Sequence, residues 1–158
     1  MAAKMAGKAR VLVIDDDPAA RDLIALNRQN DPILCDAYGD GNFIAYMRKY
    51  DPVKAQIIFR GDKVFFVSII YYQSIKETYL KTEADLYKLL DQYGIRYIVV
   101  DQLFLNIKPK ALLRQTLQQN TGKFRYLKTY PIFTNTPSYE KTALDVYEYL
   151  AYQTDYDR

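Results

Sequence analysis

Short apolar segments that end on aspartate recur along this chain. They are RVLVIDDD (Arg10 to Asp17), PILCD (Pro32 to Asp36) and RYIVVD (Arg96 to Asp101). Segments this short, rich in β-branched residues and apolar at consecutive positions, are typical of parallel strands buried on both faces. The carboxyl ends of parallel strands meet at one edge of a sheet, where open α/β folds bind their ligands. The pattern therefore predicts that Asp15, Asp36 and Asp101 share an edge.

Helical patterns separate these segments, and several begin at recognisable start signals. Pro18 directly after Asp17, Asp40 before an apolar periodicity, and Pro109 after Lys108 each favour the first turn of a helix. The tetrapeptide Thr82 to Asp85 resembles a capping box. Helices are therefore predicted over roughly 18–30, 40–50, 83–93 and 108–120. The segment Val64 to Tyr72 is compatible with either a strand or a buried helix.

The order of these elements predicts an α/β fold with a mainly parallel sheet flanked by helices. A further strand is expected over Gln56 to Arg60. Two extended segments near the end, roughly 124–133 and 144–152, are joined by a short turn and are expected to form an antiparallel pair. Residues 1–8 are predicted to be a disordered lead-in, 9–153 a single α/β domain and 154–158 a tail.

Composition narrows the class of protein. The chain has 158 residues, of which 49% are hydrophobic and 26% charged, and this balance is globular. The longest apolar run, Val64 to Tyr72, is too short to span a bilayer, and the N-terminal segment lacks the apolar core of a secretion signal. We therefore expect a soluble protein without a membrane span, cytoplasmic if the chain stands alone. The net charge of +3 is dispersed along the sequence, which disfavours nucleic-acid binding.

The chain contains no histidine and one cysteine, which excludes several kinds of site. A Ser-His-Asp triad and a histidine-ligated zinc site cannot be built from these residues. Cys35 lies within an apolar segment without a basic neighbour and is expected to be a buried, unreactive thiol. A nucleophile–base pair would have to use carboxylates or lysine, so the sequence favours a protein that is not an enzyme.

The acidic strand ends are the first candidate site. Carboxylates that converge at a sheet edge repel one another and favour a hard cation such as Mg²⁺. The residues that would bind it are Asp15, Asp16 and Asp101. The alternative is that Asp17 caps the following helix and that the other aspartates are solvated strand ends.

A second candidate site combines the segment DAYGDGNF (Asp36 to Phe43) with FRGDK (Phe59 to Lys63). Glycines beside a helix start let backbone N–H groups approach a phosphate or a sugar phosphate, and cations at a strand end can bind an anion. The ligand-binding residues expected here are Asp36, Asp40, Asn42, Arg60 and Lys63. The alternative is a tight turn capped by Asp40.

The segment ARVLVIDDDPAARDLI (Ala9 to Ile24) resembles the opening of a response-regulator receiver domain. The resemblance implies that Asp15 and Asp16, at the positions of the family's acid pair, bind Mg²⁺. The family's phospho-acceptor aspartate at the end of the third strand has no counterpart, because that predicted strand ends on Arg60. The implied function is a receiver-like domain that is degenerate in its phospho-acceptor.

From about residue 18 onward the chain is similar to the soluble C-terminal region of polytopic membrane glycosyltransferases that use lipid-linked sugars. The segments that carry the similarity are DGNFIAYMRKYDP (Asp40 to Pro52), FRGDK (Phe59 to Lys63) and YGIRYIVVD (Tyr93 to Asp101). In that family the catalytic acids lie in the membrane portion, which this chain lacks. The resemblance implies a non-catalytic accessory domain, whose partner is a membrane-embedded transferase portion or a sugar or phosphate ligand. It also implies an extracytoplasmic location if the chain is a detached transferase tail.

Overall fold

The structure is a computed structural model that describes residues 18–38, 40–66, 78–103, 105–131 and 143–152. Its helices are α1 (Pro18–Leu26), α2 (Asp40–Tyr50), α3 (Gly61–Val64), α4 (Glu83–Gln92) and α5 (Lys108–Gln119). Its strands are β1 (Ile33–Asp36), β2 (Ile58–Arg60), β3 (Tyr97–Val100), β4 (Phe124–Pro131) and β5 (Ala143–Tyr149). No described helix is long and apolar enough to cross a membrane.

The five described strands form one mixed sheet in the order β2-β1-β3-β5-β4. β1 pairs in parallel with both β2 and β3, whereas β5 pairs antiparallel with both β3 and β4. The α/β class and the antiparallel C-terminal pair are thus confirmed. The described sheet is as much antiparallel as parallel in its pairings, and the predicted first strand, Arg10 to Asp15, lies outside the described residues.

The central strands are buried on both faces, as their apolar sequences require. Every residue of β1 and β3 is buried. One face of the sheet packs against α4 and α5 through a cluster that includes Ile98, Leu90 and Leu113. The opposite face packs against α1 and α2 through a cluster that includes Leu23 and Met47. The sheet therefore lies between two layers of helices, with a hydrophobic core on each side.

Several local signals act as the sequence predicts. The Thr82 side chain accepts a hydrogen bond from the Asp85 N–H and the Asp85 carboxylate accepts one from the Thr82 N–H, which completes the capping box. Pro109 lies in the first turn of α5. Gly94 has a φ of +58°, the left-handed conformation that glycine adopts at little cost after a helix.

Elsewhere the element bounds differ from the prediction or lie outside the described residues. The strand expected over Gln56 to Arg60 is shorter, since the structure has β2 over Ile58–Arg60. Of the ambiguous segment Val64 to Tyr72, Val64 ends α3 and Phe66 forms a bridge with Thr78, while residues 67–77 are not described. The predicted lead-in 1–8 and tail 154–158 are also outside the described residues, and the single domain over 9–153 stays a prediction.

Candidate functional site

The three parallel strands end at one edge of the sheet, here called the carboxyl edge. Asp36 is the last residue of β1, Arg60 is the last residue of β2, and Asp101 directly follows β3. Both aspartates are buried and hydrogen-bond to the same arginine, so the predicted proximity of Asp36 and Asp101 is confirmed. Asp15, the third aspartate of that prediction, lies outside the described residues.

Arg114 connects the two buried aspartates with all five of its N–H donors. It reaches them from α5, where it lies on the buried face of the helix. Its Nη1 donates to Asp36 Oδ2 at 2.6 Å and to the Lys110 carbonyl at 3.0 Å. Its Nη2 donates to the Asp36 carbonyl at 2.7 Å and to Asp101 Oδ1 at 2.9 Å, and its Nε donates to the Asp101 carbonyl at 2.5 Å. Because a guanidinium has five donors, Arg114 has none left for a ligand.

The two carboxylates have further partners that use both of their oxygens. Asp101 accepts hydrogen bonds from the backbone N–H groups of Tyr38 and Leu103, while Asp36 Oδ1 pairs with the Lys110 ammonium. The Asp36 side chain also packs against Gly61, where a β-carbon would lie 2.4 Å from Asp36 Oδ1. The two acids are therefore enclosed by backbone donors, two cations and the chain itself. This set, Asp36, Asp101, Lys110 and Arg114, is called the buried ion cluster below.

A second set of charged groups lies outside this cluster and reaches solvent. Arg60 Nε donates to Asp40 Oδ2 at 2.7 Å and Arg60 Nη2 donates to Asp40 Oδ1 at 3.2 Å, which makes a bidentate pair. Arg60 Nε also lies 3.3 Å from Asp62 Oδ1, and Lys63 Nζ lies 3.3 Å from Asp62 Oδ2. Hydrogen bonding to Asp40 raises the pKa of Arg60 above its usual value. With exposed Asn42, in the first turn of α2, these residues form the outer rim: Asp40, Asn42, Arg60, Asp62 and Lys63.

All five predicted ligand-binding residues thus lie at or next to the carboxyl edge, but in two different environments. Asp36 is enclosed in the buried ion cluster, whereas Asp40, Asn42, Arg60 and Lys63 belong to the outer rim. A ligand that approaches from solvent meets the outer rim first. The binding role of these residues stays a prediction.

The predicted metal site cannot be assembled from the described residues. Asp15 and Asp16 lie outside them, and Asp101 is engaged by Arg114, Tyr38 and Leu103. Within the described ranges no three acidic or cysteine side chains are grouped so as to hold a metal ion. The Mg²⁺ site and the receiver-like function that depends on it therefore stay predictions.

Cys35 is buried next to this site and does not supply a reactive thiol. It precedes Asp36 in β1 and is fully enclosed. Burial raises the pKa of its thiol far above the usual value, and the negative charges of Asp40 and Asp36 raise it further. The thiolate form that a nucleophile needs is therefore suppressed, as the sequence predicted.

Sequence reasoning missed Arg114 and Lys110, the two cations that neutralise the buried acids. A signal was present, because the spacing of four between Lys110 and Arg114 places both on one face of the helix, and Arg114 lies three residues before buried Leu117. A cation on an apolar helix face needs a buried anion as its partner. The acidic strand ends were the available anions.

A second charged cluster lies at the opposite edge of the sheet. Arg96 pairs with Asp31 at 2.8 Å and with Glu148 at 3.0 Å, and Arg125 also pairs with Glu148. The Tyr152 hydroxyl donates to Asp31 Oδ1 at 2.7 Å. These contacts join the ends of three strands to the segment before β1, which is a stabilising role.

Comparison of the chain with protein-family models, with curated proteins and with solved structures returns no match.

Proposed function

We propose that this chain is a non-catalytic binding domain whose ligand surface is the outer rim. The proposed ligand carries a sugar or a phosphate group. The proposed context is that of an accessory domain to a membrane-embedded transferase portion, as the resemblance to the C-terminal region of membrane glycosyltransferases implies. The observation that carries the proposal is that Asp36, Asp101 and Arg114 bind groups within the protein, which leaves the outer rim as the charged surface that a ligand can reach.

The buried ion cluster supports a role other than catalysis. A general base needs a carboxylate that can accept a proton from the substrate, and an electrophilic cation needs a donor that can reach the substrate. Asp36 and Asp101 instead accept hydrogen bonds from Arg114, Lys110 and backbone groups, and every donor of Arg114 is used within the protein. These four residues hold the loops after β1 and β3 in place.

The outer rim supports binding because it combines exposed donors and acceptors on a fixed base. The side chains of Arg60 and Lys63 are 42% and 60% exposed, and that of Asp62 is 32% exposed. Asp62 and Lys63 lie in α3, whose first residue packs directly against the Asp36 carboxylate, and Arg60 directly precedes this helix. A backbone that is already held in place does not have to be ordered when a ligand binds, so the entropy cost is limited to the exposed side chains.

Isothermal titration calorimetry with glucose 1-phosphate and mannose 1-phosphate tests this proposal, because each probe carries both candidate groups. We expect millimolar binding to the wild-type chain that Arg60→Ala weakens at least about fivefold, since a charge-assisted contact contributes on the order of 1 kcal/mol. Arg28→Ala is the matched control, because Arg28 is exposed and precedes the amino end of β1, away from the rim.

Two results would contradict the proposal. One is the absence of any heat of binding at concentrations of tens of millimolar for both probes, for neutral methyl glycosides and for inorganic phosphate. The other is release of inorganic phosphate from either probe by the wild-type chain at a rate that Arg60→Ala abolishes and Arg28→Ala retains. The first would remove the binding surface, and the second would make the chain an enzyme.

A further inference from the structure

We propose that Asp62 makes the outer rim selective for the uncharged hydroxyl groups of a carbohydrate over phosphate. This inference rests on the function proposed above. It decides which of the two groups named there, sugar or phosphate, the rim binds. It follows from how the charges of the described residues are paired.

The buried ion cluster and the outer rim each contain two cations, and each of these four cations already has a carboxylate partner. Arg114 pairs with Asp36 and Asp101, and Lys110 pairs with Asp36. On the outer rim, Arg60 binds Asp40 in a bidentate manner and also faces Asp62, while Lys63 pairs with Asp62. A phosphate would have to displace a carboxylate or bind next to one, and both are unfavourable.

Carbohydrate hydroxyls can bind without displacing a carboxylate and without repulsion from its charge. A hydroxyl both donates and accepts, so it can donate to a carboxylate and accept from the paired cation without separating the two. The exposed parts of Asp62, Lys63 and Arg60 offer this alternation of acceptor and donors, and exposed Asn42 adds an amide that has both. The loop between β1 and α2 also presents Tyr38, which is 40% exposed and supplies apolar ring surface of the kind that sugars pack against.

Asp62 is the residue on which this selectivity depends. It contacts both rim cations, Arg60 through Oδ1 and Lys63 through Oδ2, each at 3.3 Å. Asp62 Oδ1 is buried and, among the described residues, has no hydrogen-bond donor of suitable geometry, so its contact with Arg60 is one of charge alone and the exposed part of the carboxylate is at Oδ2. Removing the charge of Asp62 would leave Lys63 without its carboxylate and Arg60 with Asp40 only, which creates a surplus of positive charge for an anion.

Separate probes for the two groups test the inference. The neutral probes are the methyl glycosides of glucose, mannose and galactose, and the anionic probe is inorganic phosphate, each titrated calorimetrically at low ionic strength. We expect the wild-type chain to bind at least one glycoside more tightly than phosphate. In Asp62→Asn, which keeps the size of the side chain, the ratio of phosphate affinity to glycoside affinity should rise about fivefold, the upper range for a partly exposed charge pair. Asp91→Asn, at an exposed position near the end of α4, should leave the ratio unchanged.

The outcomes separate this inference from the proposed function. Tighter binding of phosphate than of every glycoside by the wild-type chain, or an unchanged ratio in Asp62→Asn, overturns the inference while the rim remains a binding surface. If neither the hexose phosphates nor the separate probes bind, the proposed function and the inference fail together. The relative affinity for glycosides and phosphate is measured on the wild-type chain without any variant. It therefore tests the inference even if Asp62→Asn does not fold.

Discussion

Arg114 is the residue on which the carboxyl edge depends most. It is 3% exposed, and its five donors connect two buried carboxylates and three backbone carbonyls. Removing one partner of a buried ion pair leaves the other charge unpaired, which typically costs about 3–5 kcal/mol. We expect Arg114→Met to lower the free energy of unfolding by that amount, measured by urea denaturation followed by circular dichroism.

Arg114→Lys should also be strongly destabilising, because an ammonium has three donors and cannot reproduce the planar fork. The control is Arg21→Ala, which removes an exposed arginine paired with its neighbour Asp22 and should change the free energy of unfolding by less than about 1 kcal/mol. Equal stability of Arg114→Met and Arg21→Ala would show that the buried ion cluster does not hold this edge together.

Gly61 permits the close approach of α3 to Asp36. A β-carbon at this position would lie 2.4 Å from Asp36 Oδ1 and 2.7 Å from its Cγ, so the buried carboxylate would have to move. We expect Gly61→Ala to destabilise the protein by about 1–3 kcal/mol, in the range of other overpacked sites. The same urea denaturation measures it.

Gly41→Ala is the matched control for this substitution, since nothing lies within 4 Å of the added carbon and the residue is in α2. Alanine favours the helix over glycine, so this variant should be as stable as the wild type or slightly more stable. A Gly61→Ala variant that behaves like Gly41→Ala would contradict the described contact with Asp36.

At the scale of elements, the capping box of α4 allows a test by acid titration. Hydrogen bonds from the Thr82 side chain and from the backbone of Thr82 and Lys81 hold the pKa of Asp85 below its ordinary value of 3.8. The folded state is therefore favoured while Asp85 is ionised, and this contribution is lost as the pH falls below that ordinary value and through the lowered one. Thr82→Ala should raise the pKa of Asp85 towards 3.8, as measured by NMR titration of its carboxyl carbon.

The same variant should lose stability mainly above pH 4, where Asp85 is ionised in both states. Between pH 4 and pH 2 the wild type should lose more stability than Thr82→Ala, so the difference between them should shrink. If the difference in stability between the wild type and Thr82→Ala stays constant over this range, protonation of Asp85 does not weaken the capping hydrogen bonds.

The elements that the sequence predicts best are those that carry their own local signal. The apolar segments of β1 and β3 and the Thr82 and Pro109 helix starts were predictable because burial and capping depend on adjacent residues. The exact start of β2 was not, because hydrogen bonding to β1 rather than local sequence decides which residues of 56–60 are in the strand.

At the scale of the whole molecule, the position of the candidate site was predictable and its internal pairing was not. Parallel strands bring their carboxyl ends together, which was enough to place Asp36 and Asp101 at one edge. Which cation neutralises them depends on how α5 packs on the sheet, and Arg114 lies 78 residues beyond Asp36 in the chain. The spacing of Lys110 and Arg114 marks the two cations, but a contact of such sequence separation leaves no pattern that identifies their partner.

In the proposed function, ligands bind at the outer rim while the buried ion cluster stays intact. The most direct test is a two-dimensional ¹H–¹⁵N NMR titration of the wild-type chain with glucose 1-phosphate, including the side-chain Nε–H signals of Arg60 and Arg114. We expect concentration-dependent shifts of Arg60 Nε–H and of the backbone amides of Asn42, Asp62 and Lys63, with Arg114 Nε–H unchanged. Shifts that are confined to residues outside the carboxyl edge, or a loss of the Arg114 signal on binding, would contradict the proposed function.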